Sequence, residues 1–136
     1  MKKQITVLVA DDSQLFRKSL TILISETIDL RVAGEASNGE EAISMAKDLR
    51  PDIILMDINM APVNGFEATR KILKHNPAAK IIGLSVHSEA TYAENLLKLG
   101  AKGYVTKDAL YQEISDAIAT VFNGGKYIAK DLDGQI

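Results

Sequence analysis

Five residues at the ends of short apolar runs carry side chains suited to phosphoryl chemistry. Asp11 and Asp12 follow the run from Ile5 to Ala10, and Asp57 lies near the end of a run from Ile53 to Ile58. Brought together, these carboxylates repel. Two like charges about 4 Å apart cost roughly 4 kcal/mol at an effective dielectric of 20. Such a cluster needs protons or a cation. Oxygen ligands with no cysteine in the chain and no nearby histidine favour Mg²⁺, with Mn²⁺ as the alternative, over Zn²⁺. Ser85, after Ile81-Ile82-Gly83-Leu84, offers a hydroxyl donor to a phosphoryl oxygen. Lys107, after Gly103-Tyr104-Val105-Thr106, offers a point charge to the same group. Singly, a strand-end Asp is usually solvated, a Ser there is a turn residue, and a Lys is exposed. Together they read more economically as a metal-assisted phosphate cradle, because phosphoryl transfer requires positioning and charge neutralisation above all.

Such a cradle needs elements that end at one edge. Short apolar runs (Ile5 to Ala10, Leu30 to Ala36, Ile53 to Ile58, Ile81 to Val86, Gly103 to Thr106) alternate with helical patterns. The first helix starts after Ser13 as N-cap and places Phe16, Leu20, Leu23 and Ile24 on one face. Asn38-Gly39-Glu40-Glu41 opens the second, with Ala42, Ile43, Ala46 and Leu49 inward and Pro51 as its stop. The third carries Phe66, Ala68, Thr69, Ile72 and Leu73 and ends near Asn76-Pro77. The fourth shows Ala93, Leu96 and Leu97 before Gly100 as C′ residue. The last is read with Leu110, Ile114, Ala117, Ile118 and Val121 on its inner face, closed by Gly124-Gly125. This alternation predicts an α/β domain with a five-stranded parallel sheet and helices on both faces.

Strands one, three and four are continuously apolar, as central strands covered on both sides must be. The second is mixed and the fifth short, so both are expected at the edges. The resulting order is 2-1-3-4-5, a flavodoxin-like doubly wound arrangement. In such sheets ligands bind beyond the carboxyl ends of the strands where the winding reverses, here between strands one and three. That is where Asp11, Asp12 and Asp57 fall.

The chain has 136 residues, 46% of them hydrophobic and 25% charged, with 18 acidic against 16 basic. One domain is expected at this length. A net charge of −2 disfavours DNA binding by this chain itself, because nonspecific affinity rests on basic contacts to phosphates. No apolar run approaches the roughly 20 residues that span a bilayer, and no signal peptide is read at Met1-Lys2-Lys3. A cytoplasmic protein without membrane partners is the expectation.

In these features the chain resembles the receiver domain of bacterial two-component response regulators, from about Thr6 to Phe122. The resemblance rests on Val7-Leu8-Val9-Ala10-Asp11-Asp12, Pro51-Asp52-Ile53-Ile54-Leu55-Met56-Asp57, Ser85 and Gly103-Tyr104-Val105-Thr106-Lys107, in order and at these separations. It implies that Asp57 accepts a phosphoryl group from a histidine kinase or histidine phosphotransfer protein. It further implies Mg²⁺ held by Asp11, Asp12, Asp57 and the backbone carbonyl of Asn59. By it, Ser85 and Lys107 contact the phosphoryl oxygens and Tyr104 is the aromatic switch. The protein would then be a switch promoting only its own phosphorylation and dephosphorylation, with a homodimer as one outcome.

Asp11-Asp12-Ser13-Gln14-Leu15-Phe16-Arg17, Asn64-Gly65-Phe66-Glu67-Ala68-Thr69-Arg70 and Lys107-Asp108-Ala109 are similar to the NarL/FixJ-type branch. In that branch a tail like Gly124-Gly125-Lys126-Tyr127-Ile128 precedes a linker and a helix-turn-helix output domain. Residues 1–125 are accordingly read as the receiver, and 126–136 as a tail or the start of a linker to an output domain that acts in transcription. A receiver that signals by protein contact alone is the alternative.

Two positions depart from the family pattern. Ala61 stands where proline is usual, with Pro62 next, and Asp108 stands where many receivers have a cis proline after the lysine. Asn59 and His87, two residues beyond Asp57 and Ser85, occupy positions that tune hydrolysis of the acyl phosphate in that family; solvent-facing side chains are the competing reading. Leu15 and Ile22 lie off the core face of the first helix, beside which the family binds kinase partners. A Mg²⁺-dependent phosphatase of the haloacid dehalogenase type is disfavoured, since Asn59 replaces its second aspartate. A flavodoxin-like cofactor binder is disfavoured too, because no Ser/Thr/Gly-rich loop follows the first strand.

Overall fold

Alternation along each strand sorts the apolar residues into two clusters, one on each side of a single sheet. The computed structural model describes residues 4–86, 90–130 and 132. The strands are β1 (Ile5–Ala10), β2 (Leu30–Ala36), β3 (Ile53–Asp57), β4 (Ile81–Ser85), β5 (Gly103–Thr106) and β6 (Tyr127–Ile128). The helices are α1 (Gln14–Ser25), α2 (Gly39–Leu49), α3 (Gly65–His75), α4 (Ala90–Leu99) and α5 (Tyr111–Phe122). Val7, Val9, Leu55 and Leu84 pack with Leu20 and Ile24 of α1 and with Ile114, Ile118 and Val121 of α5. Leu8, Ala10, Ile54 and Met56 pack with Ala42 of α2, Ala68 and Ile72 of α3, and Leu96 of α4. The sheet therefore has α1 and α5 on one face and the other three helices on the opposite face.

Helix starts are set locally. Ser13 Oγ accepts from the Phe16 N–H, Asn38 Oδ1 from that of Glu41, and Asn64 Oδ1 from that of Glu67. Each bond satisfies a donor that the first turn leaves unpaired, at a gain of about 1 kcal/mol. Helix α2 closes on Arg50, which adopts φ 46° just before Pro51, and Gly100 after α4 has φ 115°.

The strand order is β2-β1-β3-β4-β5-β6, all neighbours parallel. The expected order of five is present, and β2 is an edge as expected. The fifth strand is not. Tyr127 and Ile128 pair with Gly103 and Tyr104, so the chain after Gly125 continues into the sheet. Two residues of β-ladder are too short a signal to read from the sequence. What holds them is Glu113 of α5, whose Oε2 accepts from Tyr127 Oη at 2.8 Å and from the Lys130 N–H at 3.0 Å. Beyond the ladder, Ala129 and Leu132 are buried in the cluster that contains Tyr104.

A second correction concerns Leu110. It precedes α5 as the N-cap in extended conformation and is 80% exposed, rather than lying on the inner face. Helical periodicity extrapolated one residue too far, and the buried stripe begins at Ile114. The ladders of β3 and β4 also stop one residue before Ile58 and Val86.

If the tail is integral to the fold, Ala129→Asp should bury a charge without a partner. The expected loss in urea unfolding is about 2 kcal/mol or more. An unchanged midpoint would mean that the tail only rests on the sheet.

Candidate functional site

The winding reversal delivers the ends of β1 and β3 side by side, because Ala10 pairs with Met56. Asp11 and Asp57 thus become neighbours, and Asp12 follows in the same turn. One carboxylate oxygen from each of the three lies within 4.8 Å of the others. Asp11 and Asp57 are buried, whereas Asp12 is exposed. Ser13 N–H donates to Asp11 Oδ1 at 2.8 Å and Asn59 N–H to Asp57 Oδ1 at 3.0 Å. In both cases a tight turn leaves the second oxygen facing inward.

Lys107 answers that charge from the end of β5. Its Nζ is 2.7 Å from Asp11 Oδ2 and 3.3 Å from Asp57 Oδ2. Asp11 Oδ2 has the ammonium at ion-pair distance yet no hydrogen-bond partner of good geometry among the described residues, so one buried carboxylate oxygen lacks an aligned donor there. Burial pulls the Lys107 ammonium towards deprotonation, and the Asp11 and Asp57 carboxylates more than reverse this, holding it above the ordinary lysine range. The ammonium also lies 4.8 Å from the centroid of the Phe16 ring. With the three acids ionised, the one ammonium paired with them among the described residues leaves two negative charges unbalanced, which matches one divalent cation. The donors are all carboxylate oxygens, one of them buried and without an aligned donor, so the residues fit Mg²⁺.

The remaining predicted residues fall around this cluster. Ser85 is buried at the end of β4, and its Oγ donates to Asn59 Oδ1 at 3.3 Å. Asn59 itself is exposed, but its side chain reaches back to Ser85 rather than only into solvent. The strand ends are stitched by Ile58 N–H to Leu84 O at 3.0 Å and Lys107 N–H to Ser85 O at 2.8 Å. Tyr104 is fully buried on β5, its ring beside Gly83 of β4. Leu15 and Ile22 are exposed on α1. His87 lies outside the described residues. Among the described residues Ala61–Pro62 is the cis peptide, and Lys107–Asp108 is trans.

Three contributors escaped the sequence reading. Phe16 lies on the core face of α1 as the sequence predicts, and it also faces Lys107. Thr106 is buried, and its hydroxyl donates to Asp108 Oδ1 at 2.6 Å, which ties the turn after β5. Gly65 lets α3 press against the end of β3; a Cβ there would lie 2.4 Å from Asp57 O and 2.5 Å from Ile58 Cα. All three stand inside family-like motifs, but nothing in those motifs shows what each side chain or missing Cβ meets in the fold.

A doubly wound sheet with buried acids at the β1/β3 reversal and a lysine from β5 defines a receiver. Residues 7–119 match the response regulator receiver domain, and the chain belongs to that family. It is 40% identical over 132 residues to response regulator GacA of Pseudomonas viridiflava, covering 97% of this chain and 62% of that protein. Response regulator UvrY of Escherichia coli strain K12 is 39% identical, with coverage of 97% and 61%. The chain therefore spans about three fifths of the length of these relatives. Among solved structures, a LuxR-family two-component response regulator from Aurantimonas sp. SI85-9A1 superimposes with a TM-score of 0.94 at 29% identity, covering 98% of this chain and 96% of that one. The signal receiver domain of the NarL response regulator of Mycobacterium tuberculosis gives 0.85 at 28% identity, with coverage of 90% and 98%.

Removing the ammonium should leave two buried carboxylates facing each other. Lys107→Ala in a chelator is expected to cost on the order of 3 kcal/mol in urea unfolding, and adding Asp57→Asn should return part of it. Because the folded ammonium titrates above the unfolded one, its contribution is fully present below the ordinary lysine value. It is lost only as pH rises through the higher folded value. Full stability of Lys107→Ala at neutral pH would show that the acids do not depend on it.

Proposed function

We propose that this chain is a phosphorylation-activated switch in which Asp57 accepts a phosphoryl group from a histidine kinase or histidine phosphotransfer protein. The observation that carries this reading is the Asp57 carboxylate, buried at a strand end and shared with Lys107 beside two further acids. A carboxylate oxygen attacks phosphorus, the P–N bond of a phosphohistidine breaks, and the imidazole nitrogen leaves with the electron pair and takes up a proton. The product is an acyl phosphate on Asp57.

Asp11, Asp12 and Asp57 would hold Mg²⁺, with the backbone carbonyl of Asn59 as a further ligand. Bound there, the ion would offset negative charge on the transferring oxygens. Lys107 orients Asp57 by its ion pair and is placed to contact a phosphoryl oxygen once that pair loosens. Ser85 exchanges its bond to Asn59 for one to the phosphoryl group, and Tyr104, whose register partner Gly83 lies two residues before Ser85 on β4, responds to that shift. Moving a two-state equilibrium from 1:99 to 99:1 takes about 5.5 kcal/mol of differential stabilisation. A few charge-assisted hydrogen bonds at roughly 1.5–3 kcal/mol each suffice. Asn59 and His87 are assigned to tuning the lifetime of the acyl phosphate.

The wider protein is proposed to regulate transcription. A relative at 36% identity, DegU of Brevibacillus brevis, is a transcriptional regulatory protein of which this chain covers 54%. A cytoplasmic location fits this role, and among the described residues no helix is long and apolar enough to cross a membrane.

Acetyl phosphate with Mg²⁺ should add one phosphoryl group to the wild type, seen by intact mass, and none to Asp57→Asn. Undiminished modification of that variant would place the acceptor elsewhere. Separately, Asp12→Ala should bind Mg²⁺ more weakly than wild type while folding at least as stably, since a repelling charge is gone. Equal affinities would remove Asp12 from the metal site.

A further inference from the structure

Arg17 stands in the first turn of α1 with a side chain only 12% exposed, and its guanidinium works in two directions. Nη1 donates to the backbone carbonyl of Asp11 at 2.7 Å, while Nε donates to Glu35 Oε1 on β2 at 3.1 Å. Asp11 is thereby held at nearly every polar atom. Its N–H donates to Ala36 O at 3.0 Å, its Oδ1 accepts from Ser13, and its carbonyl accepts from Arg17. Oδ2 is the atom left for the acidic site, where it faces Lys107.

The carbonyl of residue 11 and the amide of residue 12 lie in one rigid peptide plane. An anchor on that carbonyl therefore also fixes where the Asp12 Cα sits, and with it the point from which the Asp12 side chain departs. A plain tie between α1 and β2 would need only the Arg17–Glu35 ion pair, and Lys18 already supplies one, with Nζ 3.1 Å from Glu35 Oε2. The bond to the Asp11 carbonyl is what Lys18 does not duplicate. It takes a planar fork, which an ammonium lacks.

We propose that Arg17, braced by Glu35, is a positioning residue that aims Asp11 and Asp12 at the divalent cation; this rests on the metal reading given above. Charge alone gives the opposite sign. Removing a cation close to an acidic cluster should strengthen Mg²⁺ binding, whereas loss of aim weakens it, by about tenfold or more for a residue that orients metal ligands.

The test is Mg²⁺ titration of the whole chain by NMR for wild type, Arg17→Met and Arg17→Lys, with amide spectra in chelator and urea midpoints alongside. Both variants should bind Mg²⁺ about tenfold more weakly, and the Asp12 and Ser13 amides should already shift before metal is added. Arg17→Lys keeps the charge, so its weakening supports aim over field. Affinity in Arg17→Met equal to or above wild type would overturn the proposal, as would unmoved amides or a lowered urea midpoint with unchanged affinity. If wild type itself binds no Mg²⁺, the metal reading falls and this proposal falls with it, an outcome distinct from variants that match a binding wild type.

Discussion

Two carboxylates buried at adjacent strand ends share one ammonium, and the rest of the structure accommodates that strain in charge. Removing an ionised group from water costs several kcal/mol, which is recovered only where its partners are close and well placed. Asp11 and Asp57 each have a backbone N–H on one oxygen and Lys107 on the other. The arrangement is compensated yet incomplete, since among the described residues Lys107 is the cationic side chain that pairs with this group of three acids. A site balanced to this degree can respond to an added divalent cation or to a charged group on one of its own oxygens. A fully neutralised cluster would respond less.

The sheet provides the rigidity that such a balance requires. β1, β3 and β4 are buried on both faces, so their carboxyl ends cannot drift without disturbing two packed clusters at once. Gly65 brings α3 against the backbone of Asp57 and Ile58, and Gly83 leaves room for Leu96 where a Cβ would lie 2.2 Å from its Cδ2. Both glycines act through close approach. They set how closely α3 and α4 approach the sheet.

β5 connects the site to the tail. Ser85 meets Asn59 on the acidic side, and Thr106, its ladder partner, fixes the turn after Lys107. Tyr104 lies on the same strand, and its carbonyl accepts from the Ala129 N–H at 2.8 Å. The tail is therefore joined to the backbone of the residue read as the switch. Whatever follows this segment in a longer protein starts from a strand bonded to that position.

Much of this was legible because it is local. Ser13 could be read as a cap, and Asn38-Gly39-Glu40-Glu41 as a helix start, because a cap needs only an oxygen and an N–H three residues on. The buried strands announced themselves as uninterrupted apolar runs, and the composition of β2 marked it as an edge. With order and reversal point in hand, the meeting of Asp11, Asp12 and Asp57 followed, as did the nearness of Ser85 and Lys107. Local patterns failed at their margins: Leu110 fits the helical period yet stands outside the helix, because periodicity does not distinguish a cap from a first turn.

What the amino-acid order determined by itself was the kind of each element, its starts and stops, and which chemical groups stand at the strand ends. Tertiary structure alone decided which atoms face which. The two-way grip of Arg17 on Asp11 and Glu35, the Phe16 ring against Lys107, and the hold of Glu113 on the tail join residues from separate elements. Each depends on the angle at which a helix lies against the sheet. That angle is set by the summed packing of both clusters, and no window of neighbouring residues contains it.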